Sequence, residues 1–195
     1  LRNNGQLIGN CGVTYVNAGR VYNVTNTNEL SEIRGNEVTV IATAGNIENI
    51  GGRIKGIESV ALIAENGDIV NSSSIRTVRY NHGDLNRTEH DEILSIGSIE
   101  SQGMTYIEGK NYISEAGKVS GATTVIDAKE NITIGSLTLK GDDKFGSDSD
   151  NYEIYQSERK IGSEITGTGN VILNAGKDIA LKGSIVGTDG TVQMT

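Results

Sequence analysis

The chain has 195 residues with 26 glycines, no proline, one cysteine and a formal net charge of −8. That length suits one domain, read here as 1–195. A lone Cys11 excludes an internal disulfide framework, and the acidic balance argues against a nucleic-acid or anionic-membrane partner held by charge. No apolar run approaches the eighteen or so residues that a membrane-crossing helix needs. So much glycine would also suit a linker, but isoleucine and valine recur too regularly for disorder.

In chain order, one frame repeats. A small residue acts as an anchor. An apolar residue stands two before it, an isoleucine about four after it and another about ten before it. The frame fits Ile8, Val16 and Ala18 first, then Val40, Ala42 and Ile47, then Ile54, Leu62, Ala64 and Ile69. It returns at Ile99, Ile107, Gly109 and Ile113, and at Val119, Ile126, Ala128 and Ile132. The last full copy is Ile165, Leu173, Ala175 and Ile179, followed by a short strand at Ile185. Short apolar–polar alternations joined by corners of a few residues cannot fold back as hairpins; they read as coils of a solenoid.

Gaps between anchors are 24, 22, 45, 19 and 47 residues. Three match one coil, and two match a coil plus an insert, placed at about 76–93 and 140–160. Both inserts rejoin through Ile-Gly-Ser, at Ile96-Gly97-Ser98 and Ile161-Gly162-Ser163. Each is expected to be a β-hairpin, turning near Asn81-His82-Gly83-Asp84 and near Gly146-Ser147-Asp148. Both should leave one edge about 10 Å apart, the height of two rungs. The polar tract Asn23–Asn28 reads as a loop. Asn46, Asp68, Asn131 and Asp178 precede the post-anchor isoleucine and suit a corner that hydrogen-bonds its own backbone. The chain begins and ends inside the pattern, as a segment of a longer repeat protein would.

Chemistry is sparse. His82 and His90 lie near Asp84, Asp91 and Glu92, but the spacing matches no common ligand set, so no metal and no cofactor is expected. No Gly-x-Ser-x-Gly elbow occurs, and the outward positions Thr39, Ala61, Tyr106, Asp127 and Ile172 gather no carboxylates. The chain is therefore read as non-enzymatic, with β-helix polysaccharide cleavage the lesser alternative. Arg79, Tyr80, His82, Tyr152 and Tyr155, all in the inserts, are the candidate partner contacts; packing within the hairpins is the competing role for the tyrosines.

The phrases Val-Thr-Val-Ile-Ala-Thr-Ala-Gly-Asn-Ile (38–47), Val-Ala-Leu-Ile-Ala-Glu-Asn-Gly-Asp-Ile (60–69) and Val-Ile-Leu-Asn-Ala-Gly-Lys-Asp-Ile (171–179) resemble the haemagglutinin repeats of filamentous haemagglutinin. They resemble equally those of CdiA-type exoproteins of contact-dependent growth inhibition. The resemblance implies an all-β chain, a right-handed parallel β-helix with two protruding hairpin-like inserts. It also implies a long Gram-negative exoprotein, secreted or held at the cell surface and exported by an outer-membrane two-partner secretion transporter. The favoured role is toxin delivery at a target cell's surface or outer membrane, with an adhesin stalk as the alternative. The segment is expected to be monomeric, and the resemblance supplies no catalytic residues.

Overall fold

The computed structural model describes residues 1–10, 12–83, 86–148 and 151–195, and every described element is a strand or a turn. Cys11 and Asp84 lie outside the described residues. The first coil carries β1 (Arg2–Asn3), β2 (Gln6–Ile8) and β3 (Val13–Ala18); the second carries β4 (Val21–Val24) and the long β5 (Glu32–Ala42). The third has β6 (Ile47–Ile50) and β7 (Arg53–Ala64). In the fourth, β8 (Ile69–Ser72) is followed by a hairpin of β9 (Ser74–Asn81) and β10 (Asn86–Ser95), then β11 (Ser98–Glu100) and β12 (Met104–Gly109). The fifth has β13 (Tyr112–Glu115), β14 (Lys118–Gly121) and β15 (Thr123–Ala128). The sixth opens with β16 (Ile132–Asp148), which hairpins into β17 (Asn151–Gly162) before β18 (Glu164–Gly167) and β19 (Val171–Ala175). The seventh has β20 (Ile179–Leu181), β21 (Ile185–Thr188) and β22 (Val192–Met194).

Equivalent strands of successive coils pair in parallel, which makes a solenoid of three walls. One wall runs β1-β4-β6-β8-β13-β16-β20, a second β2-β5-β7-β11-β14-β18-β21, and the third β3-β5-β7-β12-β15-β19-β22. Parallel pairing puts like residues above one another. Val16, Val40, Leu62, Ile107, Ile126, Leu173 and Met194 share a column, and so do Leu7, Ile33, Ile54, Ile99, Val119, Ile165 and Val186. The anchors form a third: Ala18 faces Ala42, Ala42 faces Ala64, and Gly109 faces Ala128, which faces Ala175. Ala42, Ala64, Gly109 and Ala128 are buried. One continuous apolar cluster fills the interior, so each rung is stabilised mainly by its neighbours.

Four details depart from the sequence frame, each by one residue or one turn. Leu7 and Val186 take the inward places, while Ile8 and Ile185 point out and are exposed. Tyr112, not Ile113, stacks between Ile69 and Ile132, because the corner after Gly109 is two residues shorter than the one after Ala64. Strand side chains have period two, so a corner shorter by two residues keeps the inward parity and brings Tyr112 to the place that Ile69 takes after the longer corner. The expected loop at 23–28 begins inside β4, and Asn23 is buried. Finally, β16 runs through Gly146-Ser147-Asp148 instead of turning there, and its ladder continues to Asp148 opposite Asn151 with an irregularity after Gly146.

A candidate interaction surface

Beyond the coil, the first wall continues as an antiparallel sheet in the order β9-β10-β16-β17. The rung spacing explains it. β9 leaves the level of β8 and the outer half of β16 leaves two rungs further on, with β13 between them. Two steps of about 4.8 Å leave room for one strand, and the returning β10 occupies it. The returns are tight: a Cβ on Gly97 would lie 2.2 Å from the Ser72 carbonyl oxygen, and one on Gly162 would lie 2.0 Å from that of Gly183. No other residue fits at either Ile-Gly-Ser junction without moving the adjacent coil.

Cross-strand register assigns every side chain to one of two faces. One row reads Tyr80, Thr88, Asp143, Tyr155; the next reads Arg79, Glu89, Asp142, Gln156. The five sequence candidates are therefore not brought together. Tyr80 and Tyr155 share one face at opposite edges, Arg79 and Tyr152 lie on the other, and His82 sits exposed past the end of β9. The sequence reading overlooked Phe145, whose ring centroid is 6.3 Å from that of Tyr155, and Lys144, whose Nζ stands 4.3 Å above the Tyr152 ring. It also overlooked Ile154, which is 54% exposed, as solvent-facing as Tyr155 at 56% and Tyr80 at 60%. The signal was present: Tyr152, Ile154 and Tyr155 lie close together in β17, and nothing on the coil frame assigns them to the core.

Charges on this sheet are mostly paired across strands. Arg79 Nε donates to Glu89 Oε2 at 2.8 Å, and that hydrogen bond holds the Glu89 carboxyl below the usual range and raises the Arg79 guanidinium. Arg76 meets Glu92 at 3.1 Å, and Arg87 meets Asp142 at 3.6 Å. The Tyr155 hydroxyl donates to Glu153, which raises its phenol above the ordinary value. His90 Nε2 approaches Asp143 Oδ1 at 2.9 Å without hydrogen-bond alignment. An open groove of about 380 Å³ on the Arg79 face is lined by Glu89, Asp91, Lys140, Asp142, Gln156 and Glu158. Among the described residues, no three His, Cys, Asp or Glu side chains converge as metal ligands.

Two polar ladders run along the coils. At one corner Asn46 Oδ1 accepts from the Asp68 amide, Asn111 Nδ2 donates to Asp68, and Asn131 donates to Asn111 Oδ1. Asn111 joins because Tyr112, not Ile113, opens its strand. The second ladder is inside the first wall: Asn3, Asn23, Asn49 and Asn71 stack with Nδ2-to-Oδ1 bonds of 2.8, 2.7 and 2.8 Å. On the coil surface, a groove of about 340 Å³ is lined by Ile8, Glu32, Arg34, Arg53, Lys55 and Ile57. Ion pairs at 3.6–3.9 Å flank it: Arg53 with Glu32 and Glu100 and Lys55 with Glu100 join neighbouring rungs, and Arg34 with Glu32 lies within β5.

No family model, no curated protein and no solved structure matches this chain.

Proposed function

We propose that this chain is a right-handed β-helical segment of a two-partner-secreted surface exoprotein of the contact-dependent inhibition class. In this reading 76–93 and 140–160 are inserts in an otherwise uniform repeat, and the segment helps deliver a toxin to a neighbouring bacterium. The observation that carries it is the antiparallel sheet. Both its faces are open, and Tyr80, Phe145, Tyr152, Ile154 and Tyr155 stay exposed where a packed domain would bury them. Exposed aromatic and aliphatic residues among charges suit an interaction surface better than a fold element. The phrases at 38–47, 60–69 and 171–179, set among six copies of one frame, supply the family reading. Its partners are then an outer-membrane transporter on the producing cell and the outer membrane or surface of the target.

The test is sedimentation with vesicles of Gram-negative outer-membrane lipid. The intact chain is compared with one in which 76–93 and 140–160 are both replaced by short turns. Delivery predicts that the intact chain co-sediments and the trimmed one stays in the supernatant. If neither binds, delivery fails, and an adhesin stalk that presents the same sheet to a soluble or host-surface ligand becomes the better reading.

A further inference from the structure

We propose that the outer edge of β17 is a self-association site, where two copies of this chain join their four-stranded sheets into one of eight strands. Among the described residues no strand pairs with that edge. β17 is twelve residues long, and eleven of them are exposed, Ile161 alone being half-buried. The usual devices against edge pairing include a short strand, a proline and charged side chains; this strand has neither brevity nor proline, and its charges, Glu153, Glu158, Arg159 and Lys160, are of both signs.

The occupant follows from the charge order. Two identical antiparallel strands meet about a two-fold axis normal to the sheet, so residue pairs on the two copies must sum to an even number. With Gln156 on the axis, Glu153 lies opposite Arg159 twice and Tyr152 lies opposite Lys160 twice. Ile154 then faces Glu158, Tyr155 faces Ser157, and no like charges oppose. Centring the axis on Glu153 or Glu158 sets a carboxylate against itself. Centring it on Tyr155 or Ser157 leaves Glu153 and Arg159 without each other. One register alone is electrostatically complementary, and Arg159 and Lys160 enter no ion pair within their own chain among the described residues. β9, the opposite edge, has no acidic residue, and its Arg76 and Arg79 are held by Glu92 and Glu89. It offers no such self-complement. The inference stands independently of the delivery reading, and it replaces the monomer expected from sequence.

Sedimentation equilibrium of the 195-residue chain tests it, with Glu153→Arg, Arg159→Glu and the double swap. The intact chain should show a monomer–dimer equilibrium that stops at the dimer. Each single reversal turns two attractive pairs into two repulsive ones and should weaken the dimer by roughly tenfold or more. The double swap should restore it. Far-UV circular dichroism of each variant confirms that the coils remain folded. In a Cys11→Ser background, Gln156→Cys should oxidise to a covalent dimer, since Cα atoms opposed across such an axis lie about 4.5–5.5 Å apart, within disulfide range. A chain that stays monomeric at its highest soluble concentration would overturn the proposal. So would a swap that fails to rescue, or a mass that grows past the dimer, the mark of β17 joining β9 head to tail.

Discussion

Asn49 is the position where one substitution should cost most for its size. It is fully buried. Its Nδ2 donates to Asn71 Oδ1 at 2.8 Å, to the Gly52 carbonyl at 2.9 Å and to the Ser98 carbonyl at 3.2 Å, while its Oδ1 accepts from Asn23 at 2.7 Å. Asn49→Ala removes the donor from three buried acceptors and breaks the ladder at its middle. Each orphaned group costs about 1–3 kcal/mol, less where a carbonyl keeps another partner, so a loss of roughly 3–5 kcal/mol is expected. That is a large share of the ~5–15 kcal/mol that holds a typical domain. Glu48→Ala, one residue away and facing outward, should cost little. Urea unfolding followed by circular dichroism reads both. Asn49→Asp adds a pH signature. The new carboxyl would face acceptors, which raises its pKa in the folded state. Its protonated form can still donate, so the variant should be most stable below about pH 4 and lose stability as pH rises through the folded pKa. An Asn49→Ala variant within ~0.5 kcal/mol of the parent, or an Asn49→Asp variant with no pH trend relative to it, would show that the ladder does not carry the interior of this wall.

Ala128 is 2% exposed and stacked between Gly109 and Ala175; Ala128→Leu should cost about 1–3 kcal/mol by overpacking, while Asp127→Leu on the outer side of the same strand should leave the melting midpoint nearly unchanged. Tyr112 is buried, its hydroxyl lies beside Ser114 and Asn71 without a well-formed hydrogen bond, and burial pushes its phenol up to about 12. Tyr112→Phe should therefore be neutral or mildly stabilising at pH 7. In the parent, the unfolded phenol ionises near pH 10 and the folded one later, so stability falls by about 1.4 kcal/mol per pH unit between 10 and 12. That part of the slope should vanish in Tyr112→Phe, as alkaline unfolding would show. Deleting 76–93 alone should leave β16 and β17 as a two-stranded hairpin, which is marginal in water. Hydrogen exchange at 140–148 should then speed up while the coil amides remain protected, and unchanged protection there would mean that the second hairpin stands without the first.

The repeating columns were legible because a solenoid writes its geometry into period two within a strand and near-constant length between coils. The anchor column from Ala18 to Ala175 is set by steric need at a crowded inner corner, and a steric need of that kind survives in a single sequence. Corner length was the weak point. After Ala42 and Ala64 four residues precede the next inward side chain, after Gly109 only two, and that difference hid Tyr112 behind Ile113. The interior asparagines were missed for a related reason. Val-Tyr-Asn-Val and Ile-Glu-Asn-Ile look like strand ends running into polar loops, since asparagine is ordinarily a turn residue. Only when four of them fall in one column can each satisfy the next. The hairpins were visible as excess length about 10 Å apart on one edge, but that they pair into one sheet emerged only from the structure. Which face each candidate took was not, because a sheet open on both sides leaves no apolar pattern from which to assign faces.

The two hairpins depend on each other through spacing more than through any side chain. A lone β-hairpin projecting into water has too little to bury, and the coil frame supplies nothing beyond its own edge. Two hairpins two rungs apart change this. The gap between the outgoing strands equals one strand's width, so the first return closes it and backbone hydrogen bonds run across all four strands. One rung apart, the outgoing strands would leave no slot for β10. Three rungs apart, an unpaired strip would separate two weak hairpins. The placement thus converts excess chain into an ordered sheet without a core of its own, and it leaves two edges of unequal character. β9, at eight residues, carries arginines already held by its neighbour, whereas β17, at twelve, is exposed along almost its whole length. A sheet assembled in this way is held by its base and exposed at its rim, and for that reason its side chains can be exchanged at little cost to the coils beneath.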